Sequence, residues 1–273
     1  MSTTGEKVGF IGAGNMATAL VKGIISSDLY TPEMIKVSDV DTDKIKNIYQ
    51  DYSVEGMHSN RDLVKSCNII ILSVKPQVIN DVLEDIKDEI SNDHIVISIA
   101  AGIKIAAIQS SLGKEVPVIR VMPNTPALVQ KGVSAVSAGK SVSDDQIAVA
   151  LDIFNSVGTA FSVQEEMMDA VTALSGSGPG FIFRIMECFV EAAEIQGFDS
   201  DTALEMITRT FLGSAILAEK SGHSLSNLRK MVTSPGGTTE AGLKYLESNK
   251  IEKIINGTIK IAKKRSVELG KKE

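Results

Sequence analysis

The sequence predicts an α/β fold, in which a doubly wound, mostly parallel sheet is followed by an all-helical C-terminal domain. Three observations point there. The first 163 residues alternate short β-branched runs with stretches of helical periodicity. Those runs are apolar along nearly their whole length rather than at every second position. From about Glu165 onward the β pattern stops. Short, all-apolar strands separated by helices describe a parallel sheet covered on both faces.

Strands are expected at Lys7–Ile11, Ile35–Ser38, Ile69–Val74, Ile95–Ile99, Val118–Met122, Val133–Ser137 and Ala160–Val163. Helices are expected between the early ones, at Met16–Ser26, Asp41–Asp51, Pro76–Ile90 and Ile105–Leu112. A boundary near Phe161–Glu165 divides the chain into residues 1–163 and residues 164–273. The second part carries helical patterns at Pro179–Ile195, Asp201–Lys220, Ser224–Met231, Thr238–Ser248 and Ile251–Leu269. Pro179 suits a first helical turn, where its missing N–H removes no bond. The runs FIFRIMECFVEAAEI and TALEMITRTFLGSAILA are apolar on more than one face, so they are buried on more than one side. The helical part has too little chain to do this alone, and a partner copy is expected to cover it. The tail KIAKKRSVELGKKE reads as a solvated helix end whose cations favour the C-terminal dipole.

Composition narrows the function classes. With 43% hydrophobic and 23% charged residues the chain is an ordinary soluble globular protein. A formal charge of −6 argues against a nucleic-acid partner or an anionic membrane surface. No run approaches the roughly 18 unbroken apolar residues of a membrane span. The N-terminal MSTTGEKVGFIG lacks the layout of a signal peptide. Two cysteines, Cys67 and Cys188, rule out a disulfide framework and fit the reducing cytoplasm. His58, His94 and His223 stand at no metal-ligand spacing, so no metal is expected.

Residues 8–20, VGFIGAGNMATAL, place G-x-G-x-x-A between a strand and a helix. Gly12 permits the tight turn, Gly14 lets a pyrophosphate approach the backbone, and Ala17 keeps helix and strand close. The helix N-terminus then faces the phosphates, so this half is read as a Rossmann-type dinucleotide-binding domain. The second strand ends in KVSDVD, with Ser38 and Asp39 at its edge. An acid there hydrogen-bonds the adenosine ribose and repels a 2′-phosphate. Asp39 is the first candidate and Asp41 the second, while a plain helix cap is the other reading of Asp39. Lys44 and Lys46 are the nearby cations that a 2′-phosphate would use. The balance leans to NADH over NADPH. Further strand ends carry LSVKPQ, with Lys75 and Pro76; VISIAAG, with Ala100, Ala101 and Gly102; and RVMPNTP, with Asn124. Together they form the expected walls of one cleft, whose small residues leave room for a flat ring.

The usual catalytic groups are missing. No histidine sits beside a plausible catalytic carboxylate partner in sequence, and LSGSGPG lacks the first glycine of a G-x-S-x-G elbow. A reductase needs no general acid when its substrate is a protonated imine, because hydride transfer then depends on proximity, orientation and field. The stretch VTSPGGTTEAGL suits such a substrate. Gly236, Gly237 and Thr238 lead into a helix, so their own free N–H groups would hold a carboxylate, and a threonine hydroxyl there would reach a ring nitrogen.

GFIGAGNMATAL, VKPQ, ISIAAG, MPNTP, DAVTALSGSGP and SPGGTT stand in this order, and together they resemble the pyrroline-5-carboxylate reductase family over residues 7–270. The resemblance implies reduction of 1-pyrroline-5-carboxylate to L-proline by NAD(P)H. It also implies a homodimer with swapped helical domains, often built into a decamer, and an active site between the two kinds of domain. By motif, Gly12, Ala13, Gly14, Asn15, Met16 and Ala17 would bind pyrophosphate. Asn60, Val74 and Lys75 would contact ribose and phosphate, and Ala100, Ala101 and Gly102 would flank the nicotinamide. Glu165 falls where the family has an acid near the substrate. Gly237, Thr238 and Thr239 would hold the substrate carboxylate, with the Thr239 hydroxyl at the ring nitrogen as the catalytic contact. The chain departs from the family pattern at Ser224-Leu225, where His-Pro is usual, at Gly180-Phe181, and at Asp39, where a small residue is common. Two other readings are a β-hydroxyacid-type dehydrogenase and a non-catalytic dinucleotide-sensing dimer. The first would put a lysine on the first long helix, and Pro179–Ile195 has none.

Overall fold

A computed structural model describes residues 5–270. The chain begins with β1 (Val8–Ile11), α1 (Asn15–Ser26), β2 (Ile35–Ser38), α2 (Thr42–Tyr52), β3 (Glu55–Gly56) and α3 (Asn60–Ser66). It continues with β4 (Ile69–Leu72), α4 (Ile79–Ile86), β5 (Ile95–Ser98), α5 (Ile105–Leu112), β6 (Val118–Met122) and β7 (Gly132–Ala138). Next come α6 (Asp144–Asn155), β8 (Gly158–Ser162), α7 (Met168–Val171) and a π-helical turn at Thr172–Gly176. Five helices follow: α8 (Gly178–Ile195), α9 (Ser200–Lys220), α10 (Leu225–Met231), α11 (Thr238–Ser248) and α12 (Ile251–Leu269).

The described strands form one sheet of eight in the order β3-β2-β1-β4-β5-β6-β7-β8. Every pairing is parallel except β6 with β7. The expected mostly parallel, doubly wound sheet is therefore present. Alternation along β4 explains why its sequence is apolar throughout. Ile69 and Ile71 enter one core with Phe10, Leu20 and Phe154, whereas Ile70 and Leu72 enter the opposite one with Leu63, Leu83 and Ile108. Each such side chain, fully removed from water, contributes about 1.5–3 kcal/mol.

Several elements were not expected from the sequence, among them β3, α3, α6 and the short α7 with its π-helical turn. β3 is two residues, Glu55 and Gly56, and α3 buries only Leu63 and Val64. α6 carries a complete capping box, with Ser143 accepting from the Gln146 N–H while Gln146 reaches back to Ser143. One expected helix is shorter. Pro76–Val78 is a 3₁₀ turn, and α4 stops at Ile86, whose carbonyl accepts from the Glu89 and Ile90 N–H groups; the Lys87 and Ile90 carbonyls beyond it accept from Lys114 Nζ at 2.8 and 2.7 Å.

Contacts divide the chain into two compact units. One runs to Ser177 and resumes at Ala262, and the other is Gly178–Ile261. In the second unit α8 and α9 pack together, with Phe189 edge-on to Phe211 at 5.6 Å. Many of its large apolar side chains are exposed, among them Phe183, Leu204, Leu212, Ile216 and Tyr245.

The start of β8 is the tightest point of the sheet. Gly158 has φ +151°, and a Cβ there would fall on the backbone of Gly132, its partner in β7. Gly158→Ala should cost about 3 kcal/mol and lower the melting temperature by several degrees. Gly113→Ala, where φ is +64° but the space is open, should cost about 1 kcal/mol. Equal melting temperatures for the two variants would contradict this.

Candidate functional site

β1, β2, β4, β5 and β6 are parallel, so the segments after their C-terminal ends lie along one edge of the sheet. The chain order reverses between β1 and β4, and a switch point of this kind opens the crevice in which such sheets bind ligands. Gly12 stands there with φ +100°. Its N–H donates to the Ser38 carbonyl at 2.7 Å, and the Ser73 hydroxyl donates to its carbonyl. A Cβ on Gly12 would lie 2.7 Å from the Ser73 carbonyl oxygen, so only glycine fits. Gly14, the residue capping α1, faces open space instead. The N–H groups of Asn15, Met16 and Ala17, in the first turn of a twelve-residue helix, have no intrahelical acceptor. A bare backbone turn with open donors and a helix dipole behind it fits a pyrophosphate.

The same edge gathers the other expected cofactor residues: Ser38 and Asp39 after β2, Val74, Lys75 and Pro76 after β4, Ala100, Ala101 and Gly102 after β5, and Asn124 after β6. Several of them have inward tasks that the sequence did not reveal. Asp39 Oδ2 accepts from the Ala13 N–H at 2.7 Å, and its Oδ1 accepts from the Asp41 N–H at 2.8 Å. Its carboxylate therefore holds the fingerprint loop, with Lys44 Nζ at 3.9 Å. It does not cap α2. Asp41 does so by accepting from the Asp43 N–H, a bond that holds its carboxyl below the usual range. The Ser38 hydroxyl donates to Asn60 Oδ1 at 2.8 Å, and the Asn60 amide donates in turn to Asp85. Asn124 accepts from the Val133 N–H at 2.8 Å and donates to the Ser175 carbonyl at 3.2 Å, which ties its loop to the π-helical turn.

Glu165 is likewise engaged. Its Oε1 accepts from the Ile105 N–H at the start of α5 at 2.9 Å and faces Arg120 Nη1 at 3.4 Å. Arg120 is buried on β6, and a buried guanidinium needs a charged partner. The arginine inside the apolar run VIRVM was the available signal for this pair. A cleft of about 1310 Å³ lies beside Glu165, lined by α5 and by the chain around the ends of β7 and β8. Cys67 is buried beneath β1, where desolvation pushes its thiol up.

In the second unit, Gly236 has φ +71° and Gly237 caps α11. The expectation that both glycines offer free N–H groups is corrected here. Gly236 donates to Glu240 Oε2 at 2.8 Å, and Gly237 donates to the Ser234 carbonyl at 3.0 Å. The donors left without an intrahelical acceptor in the first turn are those of Thr238, Thr239 and Glu240, since the first helical bond is from the Ala241 N–H to the Gly237 carbonyl. A side chain at Gly237 would collide with the Ser234 hydroxyl.

A doubly wound sheet with this crevice and glycine turn defines a dinucleotide-dependent oxidoreductase. Residues 7–102 match the family described as NADP oxidoreductase coenzyme F420-dependent, and residues 165–269 match pyrroline-5-carboxylate reductase dimerisation. The chain is 41% identical to the pyrroline-5-carboxylate reductase of Methanosarcina acetivorans, across 98% of this chain and 99% of that one. It superposes on the pyrroline-5-carboxylate reductase of Coxiella burnetii with a TM-score of 0.93, at 37% identity, over 97% and 98% of the two chains. The Plasmodium falciparum pyrroline carboxylate reductase, solved with NADP bound, gives a TM-score of 0.86 at 30% identity, over 97% and 98%. The chain belongs to the pyrroline-5-carboxylate reductase family.

Asn124→Ala would leave the Val133 N–H and the Ser175 carbonyl unpaired in a largely buried place, at a cost of about 2 kcal/mol. Thermal unfolding should show a clear drop. An unchanged melting temperature with a raised KM for cofactor would instead give Asn124 a purely ligand-binding role.

Proposed function

We propose that the chain reduces 1-pyrroline-5-carboxylate to L-proline with NADH or NADPH, the last step of proline biosynthesis. The observation that carries this is the crevice at the β1–β4 switch point, in a chain with full-length similarity to reductases of that name. Residues 1–163 take the dinucleotide role, and residues 164–273 take substrate binding and dimerisation. When bound, the dinucleotide supplies a hydride to the imine carbon. Gly12 to Ala17 hold its pyrophosphate, Ser38, Asp39, Asn60, Val74, Lys75, Pro76 and Asn124 line its path, and Ala100 to Gly102 flank the nicotinamide. Thr238 and Thr239 N–H groups hold the substrate carboxylate, Gly236 and Gly237 keep that approach free of side chains, and the Thr239 hydroxyl orients the ring nitrogen. Glu165 keeps Oε2 for the substrate side. No carboxylic acid need donate a proton, because the imine arrives protonated.

Asp39 leans the choice toward NADH, since its carboxylate repels a 2′-phosphate. The homodimer with swapped helical domains, and a decamer built from it, is supported by the exposed apolar side chains of α8 and α9. The free cysteines fit a reducing cytoplasm. Sedimentation equilibrium should give an even multiple of the protomer mass, and a monomer at micromolar concentration would reject the assembly.

Steady-state assays with both cofactors test the chemistry. The wild-type chain should consume pyrroline-5-carboxylate, and cofactor binding without turnover of any cyclic imine would favour a sensing role. Thr239→Ala should lower kcat about 10- to 100-fold with little change in cofactor KM. Asp39→Ser should raise the NADPH to NADH ratio of kcat/KM. It should also raise KM for both cofactors, because the Ala13 N–H loses its acceptor. An unchanged ratio rejects the specificity role.

A further inference from the structure

The turn between β5 and α5 carries Ala100, Ala101 and Gly102, and the C-terminal end of α12 lies against it. Gly270, whose N–H donates to the Ser266 carbonyl at 3.1 Å, would place a Cβ 3.0 Å from the Gly102 carbonyl oxygen. Gly102 itself has φ +86°, with the Gly270 nitrogen 3.7 Å from where its own Cβ would be. The contact is therefore backbone against backbone; Gly270 is suited to it by having no side chain, and the positive φ of Gly102 favours glycine there. Ser266, only 5% exposed, donates its hydroxyl to Asp169 Oδ1 at 2.6 Å. Residues 262–270 pack within the first unit.

One short segment holds both flanks of the turn. Glu165 takes the Ile105 N–H where the turn becomes α5, and Asp169, four residues on, takes Ser266. Met168 between them is fully buried and anchors the segment. We propose that Asp169, Ser266 and Gly270 are positioning residues that brace the Ala100–Gly102 turn and thereby set how tightly the reduced nicotinamide is held. This rests on the reading of that turn as the nicotinamide wall. None of the three need touch cofactor or substrate. A hydrogen bond to a charged acceptor is strong enough to hold such a contact, and small misplacements of a binding surface have large consequences.

The test uses the full-length chain and its Ser266→Ala, Asp169→Ala, Asp169→Asn and Gly270→Ala variants, with hydrogen exchange and cofactor titration read on each. Amide exchange at Gly102–Ile105 should quicken about tenfold in Ser266→Ala and Asp169→Ala, the factor expected for one charge-assisted bond. The Kd for NADH or NADPH, followed by nicotinamide fluorescence, should rise about tenfold in the same variants and in Gly270→Ala. KM for pyrroline-5-carboxylate should stay within about twofold. Asp169→Asn should restore both readouts, because its amide oxygen still accepts from Ser266; a general loss of stability would not be rescued so selectively. Unchanged exchange in Ser266→Ala, or Asp169→Asn as impaired as Asp169→Ala, overturns the brace. Quickened exchange with unchanged cofactor affinity overturns the link to the nicotinamide. A wild-type chain that binds neither cofactor would instead remove the dinucleotide reading, while exchange still decides the brace.

Discussion

The closeness of three strand ends around Gly12 governs the first unit. Its N–H goes to the end of β2, its carbonyl receives the hydroxyl that follows β4, and its Cα faces the Ser73 carbonyl at a distance that admits no side chain. A positive φ turns the chain outward immediately, so α1 starts with its dipole aimed over the crevice. Asp39 then fastens the next residue, Ala13, from the end of β2. The glycine turn after β1 is thus held by β2 and β4 together, and the three strand ends form one piece.

That piece was largely legible in the sequence because its signals are local. A glycine fingerprint between a strand and a helix has one structural meaning, and runs such as NIIILS need apolar cover on both faces. The missed elements divide by cause. β3 is two residues without a β-branched side chain and exists through its pairing with β2, so no local pattern announces it. α6, by contrast, wrote its start plainly as Ser143 and Gln146 before an apolar period. The roles of Asp39, Asn124 and Glu165 were hidden for another reason. Each side chain has a partner distant in sequence, Ala13 for Asp39, Val133 for Asn124 and Ile105 for Glu165, and such closeness follows from topology alone.

The same distinction revises the C-terminal tail. Its lysines read as a solvated helix end, and Lys263, Lys264 and Arg265 are indeed exposed. Ser266 is not, because its place on the helix turns it toward Asp169, 97 residues earlier. A small polar residue within a basic stretch carries no sequence signal of burial. What marks it is an acid that only the fold brings near.

The helical unit answers to a different constraint. Its buried residues on α8 and α9 are few and mostly small, Pro179, Ala193, Ala203 and Ile207, while phenylalanine, leucine and isoleucine side chains lie outside. A helix pair built this way gains little from its own interior. Each exposed Leu or Phe covered by another chain would contribute about 1.5–3 kcal/mol, so association supplies what the interior lacks. On that account the stability of this half would depend on protomer concentration, whereas the sheet has cores on both faces within one chain. Thr238 and Thr239 begin α11 in the helical half, and Gly12 turns in the half that holds the sheet. On the proposed roles of these residues, assembly would be needed to present substrate, but not to bind cofactor.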